Sequence, residues 1–222
     1  MTGSHLTDLV ATLLAFEPQV PRLEAWGQRA AEVLIAGGRL LACGNGGSAE
    51  QAQHLTAELV GRYQDERRPF AALPLARDMA TLTAIGNDYG VEQVFARQVR
   101  AHGRPGDLLI CLSSSGTSRN VIAAAEAAAE MGVTAWALTG RGPNPLAAAC
   151  ADAITVDALA VCTVQEVHLA AIHIMCAAVD AAVREASAGN GAGAAGQPMA
   201  RAAWAGLGGS TGITGQVQAA LS

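Results

Sequence analysis

The chain has 222 residues, 14 of them basic and 19 acidic, for a formal net charge of −5 with only 15% charged side chains. A hydrophobic fraction of 51% excludes wholesale disorder, and the length suits one buried core with at most a short decoration. The basic residues are scattered arginines, with no cluster able to neutralise successive phosphates, which argues against a nucleic-acid footprint.

From the N-terminus, Leu6, Leu9, Val10, Leu13 and Leu14 keep a 3.6-residue stripe, and Leu23, Trp26, Ala30, Val33 and Leu34 keep a second. Two helices are therefore predicted, separated by Pro18 and Pro21 and closed by Gly37-Gly38. The pattern then changes. Residues 39–43 (RLLAC) read as a short apolar strand running into Gly44-Asn45-Gly46-Gly47-Ser48 and a helix from Ala49 to about Tyr63. A second strand is expected over 70–75, weakened by Pro74. Residues 107–112 (DLLICL) form a buried strand, followed by Ser113-Ser114-Ser115-Gly116-Thr117-Ser118 and a helix through Met131. Residues 133–139 and 153–156 supply a fourth and fifth strand, and a last long helix is expected from about Thr163 to Glu185. Strands without polar alternation, each separated by a helix, imply a parallel sheet covered on both faces, a three-layer α/β sandwich. Residues 1–187 are thus read as one domain. Residues 188–222, rich in Gly and Ala with Arg201 as their only charge, are read as a flexible tail.

The start, MTGSHLTDLV, lacks the basic and apolar regions of a signal peptide. The most apolar stretch, 167–183, carries His168, His173 and Asp180, so no membrane span is expected. Cys43, Cys111, Cys150, Cys162 and Cys176 are odd in number and contain no CxxC. They read as thiols of a reducing compartment, and a cytoplasmic location is expected.

In doubly wound sheets ligands bind at the carboxyl ends of strands, where loops enter helices. The run 113–118 offers hydroxyls and backbone N–H groups where a helix begins, which favours an anion, and Arg119 adds charge nearby. The 44–48 loop allows close backbone approach, with Ser48 as expected N-cap and phosphate donor. Ordinary turn chemistry would use the same residues, but two such loops after buried strands favour a ligand. Neither matches GxxxxGK[ST] or GxGxxG, so a monophosphate ester fits better than a nucleotide.

His54 and Glu58, four apart on one helix, share a face and can serve as base and orienter or as metal ligands. The last helix offers Gln165, Glu166, His168 and His173. Periodicity aligns Glu166 with His173, whereas Gln165 is offset but still able to converge on a ligand; His168 and His173 cannot share a site. Asp88, in 84–90 (AIGNDYG), is expected in a turn. Arg62, Arg67 and Arg68 read as a solvated patch or as anion contacts, with Arg62 the strongest candidate.

The runs CGNGGSAEQAQHLTAELVGRY, ALTAIGNDYG, VFARQVRAHGRPGDLLICLSSSGTSRNV, WALTG and VQEVHLAAIH together resemble the SIS (sugar isomerase) domain family, and within it the sedoheptulose 7-phosphate isomerases, over roughly Leu9 to Val183. The resemblance implies an aldose–ketose isomerase that makes D-glycero-D-manno-heptose 7-phosphate for nucleotide-activated heptose. It also implies a homotetramer, its N-terminal helices packing in the oligomer and its sites at subunit interfaces. By position, Glu58 would be the general base and His173 the partner acid. Ser48, Ser113, Ser115 and Ser118 would hold the phosphate, with Ser114, Gly46 and Gly47 beside it. Asn45, Arg62, Asn87, Asp88 and Gln165 would line the sugar. Zinc would be held by His54, Glu58, Gln165 and His173, so the resemblance selects Gln165 where periodicity prefers Glu166. In two respects this chain departs from the family pattern: SSSGTS stands for the usual STSGNS, and 160–164 (AVCTV) lacks the arginine that commonly precedes Gln-Glu. Related members that bind a replication initiator without catalysis lack the Glu and His positions, and isomerases of other sugar phosphates share the phosphate loop; both remain alternatives.

Overall fold

The computed structural model describes residues 2–191, with side-chain surroundings from His5 to Ala188. Thr2–Phe16 (α1) passes through a 3-10 turn, Glu17–Gln19, into Val20–Ile35 (α2). Pro18 and Pro21 occupy first-turn positions, where the missing N–H would have had no intrahelical partner. Gly37 then takes φ +90°, a left-handed conformation that releases the chain from α2. The remaining elements are Leu40–Cys43 (β1), Gly47–Val60 (α3), Ala72–Pro74 (β2), Met79–Tyr89 (α4), Ala96–His102 (α5), Leu108–Ser113 (β3), Arg119–Glu130 (α6), Thr134–Thr139 (β4), Pro145–Ala149 (α7), Asp152–Thr155 (β5) and Val161–Gly191 (α8).

The five strands lie in the order β2-β1-β3-β4-β5, and every neighbouring pair is parallel. Pro74 is tolerated because β2 is an edge strand. The direction of winding reverses between β1 and β3, so the carboxyl ends of these two strands flank the crevice where such sheets bind ligands. Alternate side chains feed opposite layers. Leu40, Ala42, Leu108, Ile110, Leu112 and Leu138 pack against α2, α3 and α8, through residues such as Leu23, Trp26, Leu55, Leu59, Val167 and Ile172. Leu41, Cys43, Leu109, Cys111 and Ala137 pack against α5, α6 and α7, through Val99, Val121, Ala124, Ala128 and Leu146. The predicted three-layer sandwich is the fold observed.

Three local expectations change. Helix α3 starts at Gly47, and its N-cap is Gly46, with no side-chain cap; Ser48 lies inside the first turn and is 3% exposed. Asn87 and Asp88 stand in the last turn of α4, a helix capped by Asp78 through Ala80 N–H, and this replaces the expected turn. Helix α8 runs past Glu185 to Gly191, through Ala186-Ser187-Ala188 and then through Gly189-Asn190-Gly191, whose residues are poor helix formers. The chain divides at Ala188 into Met1–Ala188 and Gly189–Ser222, and the tail beyond Gly191 lies outside the described residues. By length and hydropathy alone α8 would suffice to cross a bilayer, a test that the core helix of a folded domain also passes; 44% of its apolar window is buried inside the domain.

Leu9 and Leu13 of α1 pack against the core, whereas Leu6, Val10 and Leu14 remain 65%, 56% and 67% exposed. These three repeat every fourth residue and so form one apolar stripe on the outer face of α1.

Candidate active site

Two clusters emerge from this framework, one at the carboxyl ends of β1 and β3 and one between α3 and α8. In the first, the chain leaves β3 at Ser113, which is 3% exposed, and turns through Gly116 at φ +66° into α6. Ser113 Oγ lies 3.0 Å from Ser118 Oγ and 3.4 Å from Ser115 Oγ, and accepts from Gly116 N–H at 3.2 Å. Ser115 Oγ accepts from Thr117 N–H at 3.2 Å. Hydroxyls and amides therefore converge at the α6 N-terminus, as anion binding requires. Ser114 is half-buried, its carbonyl packed where a Gly140 Cβ would be.

The glycine loop is joined to this turn by a reciprocal amide pair. Asn45 Nδ2 donates to Asn120 Oδ1 at 2.9 Å, and Asn120 Nδ2 donates back to Asn45 Oδ1 at 2.8 Å. A Cβ on Gly47 would meet Gln165 Nε2 at 2.7 Å, so a side chain there would displace the Gln165 amide. Gln165 thus lies against the start of α3, and its carbonyl accepts from Gln51 Nε2.

Farther along the same helix pair, His54 Nε2 is 2.9 Å from His173 Nε2 and 3.4 Å from Glu58 Oε1. The acid and the base expected from sequence therefore meet at one shared imidazole. Tyr63, for which the sequence carries no local functional signal, stacks on His173 with ring centroids 5.6 Å apart. Cys176, one turn beyond His173, is buried; that burial, with Glu58 and Asp180 nearby, pushes its thiol up to about 12. Glu166 points elsewhere: it is exposed and pairs with His5 at 3.1 Å, so the inward residue of the Gln-Glu pair is Gln165.

Other candidates are not gathered into either cluster. Arg62 is exposed and donates to Gln64 O at 3.3 Å. Asn87 and Asp88 are exposed and bond to each other at 2.8 Å. Arg67 is neither solvated nor free for an anion, since its side chain is 3% exposed and paired with Asp180. Thr163, in the segment that lacks the family arginine, is buried with its hydroxyl unpartnered.

The donor set of His54, Glu58 and His173 has zinc chemistry, two imidazole nitrogens and a carboxylate within reach of one another, whereas the Gln165 amide lies against Gly47, two turns before His54 on α3. As placed, the two imidazoles bond directly, and among the described residues no group of three or more His, Cys, Asp or Glu stands in a metal-holding arrangement. A bound ion would displace the His54–His173 contact.

His168 is fully buried with neither ring nitrogen in hydrogen-bonding geometry. Burial draws its pKa from 6.5 to about 4, offset slightly by the nearby Thr139 backbone. The unfolded chain therefore binds more protons between those values, and stability falls as pH drops from about 6.5 to about 4, by roughly 3 kcal/mol in total. His168→Leu is expected to flatten this acid limb while leaving stability at pH 7 within about 1 kcal/mol, read from urea midpoints at pH 7 and pH 5.

Residues 5–140 match the SIS domain family model. The chain is 57% identical over 192 residues to the phosphoheptose isomerase of Streptomyces coelicolor, covering 86% of this chain and 82% of that one. It is 50% identical over 150 residues to the phosphoheptose isomerase of Rhodospirillum rubrum, covering 68% and 80%. Among solved structures, the phosphoheptose isomerase of Neisseria gonorrhoeae superposes with a TM-score of 0.75 at 38% identity, over 81% of this chain and 97% of that one. The one from Francisella tularensis gives 0.77 at 33%, over 81% and 96%. With two thirds or more of such relatives spanned at these identities, the chain belongs to the SIS domain family and, within it, to the phosphoheptose isomerases.

Proposed function

We propose that the protein converts D-sedoheptulose 7-phosphate to D-glycero-D-manno-heptose 7-phosphate, the entry to nucleotide-activated heptose. The observation that carries this reading is the meeting of Glu58 and His173 at His54, which joins a carboxylate and an imidazole from separate helices. Moving a proton between C1 and C2 needs a base for carbon and an acid for oxygen. Glu58 removes a C1 proton, the electron pair forms the C1–C2 double bond, and the C2 carbonyl oxygen takes a proton from His173. Glu58 then returns its proton to C2, while the O1 hydroxyl proton passes to His173 as the C1 carbonyl forms. Ser48, Ser113, Ser114, Ser115 and Ser118, with Gly46 and Gly47, hold the phosphate; Asn45 and Gln165 line the sugar, and Arg62, Asn87 and Asp88, which lie outside both clusters of one protomer, would join them from a neighbouring subunit. Zinc held by His54, Glu58, Gln165 and His173 would polarise substrate oxygens as a Lewis acid. Retention of both Glu58 and His173 favours an enzyme over a non-catalytic adaptor.

A homotetramer with sites completed between subunits follows from the same reading. Glu58 stands eleven residues beyond Gly47, about 16 Å along α3, farther than an extended seven-carbon chain reaches. The apolar stripe Leu6, Val10 and Leu14 supplies a surface for a second copy. Leu14→Arg is expected to shift the protein to smaller species in sedimentation, and an unchanged tetramer would exclude this stripe from the interface. A cytoplasmic location accords with five free cysteines, the buried Cys43 thiol donating to Cys111 Sγ at 3.9 Å rather than forming a disulfide. Incubation of purified protein with sedoheptulose 7-phosphate, with and without chelator, tests the activity and the metal together. Absence of any aldoheptose phosphate in both arms would overturn the assignment.

A further inference from the structure

Beyond the acid–base cluster, the end of α3 and α8 are joined once more, by a buried pair formed between the segment after α3 and α8. Arg67 and Asp180 have side chains each 3% exposed, with Arg67 Nε donating to Asp180 Oδ1 at 2.8 Å. The rest of the guanidinium closes the end of α3: Nη2 donates to Glu58 O at 2.6 Å and Nη1 to Leu59 O at 3.0 Å. The other carboxylate oxygen of Asp180 accepts from the backbone N–H groups of Gln64 and Asp65, both at 3.2 Å. Phe70 covers the guanidinium, its ring centroid 5.0 Å from Cζ.

Each of these bonds ends beside a member of the cluster. Glu58 receives the arginine on its own carbonyl. Tyr63, whose ring stacks on His173, directly precedes the two amides that Asp180 holds. Asp180 lies seven residues after His173 and so on the same face of α8. We propose that the buried Arg67–Asp180 pair is a positioning device that sets Glu58, Tyr63 and His173 relative to one another by tying the end of α3 and its following turn to α8. It rests on the assignment of Glu58 and His173 as the acid–base pair. A planar fork is needed, because one guanidinium serves the carboxylate and two carbonyls at once, which a lysine ammonium cannot do in the same geometry.

The test uses the full chain and the variants Arg67→Lys, Asp180→Asn and Asp180→Glu. Arg68→Lys, which keeps a cation over Phe70 and alters only the guanidinium bonds to the Leu34 and Ile35 carbonyls, is the control. All are assayed well below their measured Tm. Arg67→Lys and Asp180→Asn are expected to lose about 10–100-fold in kcat, since displacements near 1 Å cost that much. KM and the inhibition constant of inorganic phosphate should stay within about twofold, because the serine turn is untouched. Asp180→Glu should recover part of what Asp180→Asn loses, and Arg68→Lys should match the parent. An NMR readout is independent of substrate: the His173 ring protons, shifted by the stacked Tyr63 ring in the parent, should move toward unstacked positions in Arg67→Lys and Asp180→Asn. Should Arg67→Lys fail to fold, the near-isosteric Asp180→Asn carries the same comparison. Folded variants with parental kcat and parental His173 resonances would overturn the proposal. If the parent is inert on the sugar phosphate but the His173 resonances move as stated, the positioning role stands and the functional reading falls.

Discussion

Glu58→Gln is expected to lower kcat by about 10²–10⁴-fold with little change in KM for sedoheptulose 7-phosphate. The amide keeps the volume of the carboxylate and its place 3.4 Å from His54 Nε2, so the neighbouring helices have no reason to move. What disappears is the only acidic side chain of α3 in contact with the cluster, and an amide cannot accept a proton from carbon at neutral pH. Because that proton moves only in the transition state, kcat and kcat/KM should fall together, the signature of lost transition-state stabilisation. Steady-state kinetics with inorganic phosphate as competitor gives the check. Parental turnover would remove Glu58 from the reaction, and an equal loss in phosphate affinity would point to a collapsed site instead.

Gly116→Ala is expected to act on the other side of the ledger, raising KM by about ten-fold or more through the serine turn. At φ +66° an L side chain is strained by about 1–2 kcal/mol, and a Cβ would lie 2.2 Å from Asn144 Cγ. Asn144 has little freedom to retreat, since it caps α7 by accepting from Ala147 N–H at 3.0 Å and donates to Arg141 O at 3.2 Å. The turn must yield, and it carries the Gly116 N–H that Ser113 Oγ accepts and the Thr117 N–H that Ser115 Oγ accepts. A folded variant with unchanged KM and unchanged phosphate inhibition would show that the anion is held elsewhere.

The two helix–loop junctions were legible because each combines a buried strand, small residues and hydroxyls within a few positions of sequence. His54 and Glu58 were legible for the same reason, as local helical spacing decides that they share a face. Glu166 was misplaced by that logic. Its alignment with His173 is real, but the two stand two turns apart, and at the level of Glu166 that face meets His5 of α1, whereas at the level of His173 it meets His54 of α3. For Arg67 the sequence offers a solvated patch or an anion contact, the usual places for arginine; only the carboxylate of Asp180, 113 residues later, makes its burial tolerable. Tyr63 and Asn120 carried no local signal, since one is an aromatic after a helix and the other an amide within one.

The sequence by itself determined the parallel α/β sandwich, the positions of its five strands and the chemistry of its loops, because period, turn residues and helix starts are set by neighbours along the chain. The residue pattern left open which helices share a face of the sheet; the family resemblance implied that Glu58 and His173 meet, and the tertiary structure lays α3 and α8 in the same layer. That choice brings Gln165 to Gly47, His173 to His54 and Asp180 to Arg67 in turn. Contacts of this kind depend on which layer each helix covers, and that is settled by how the whole apolar surface is buried rather than by any segment's own pattern.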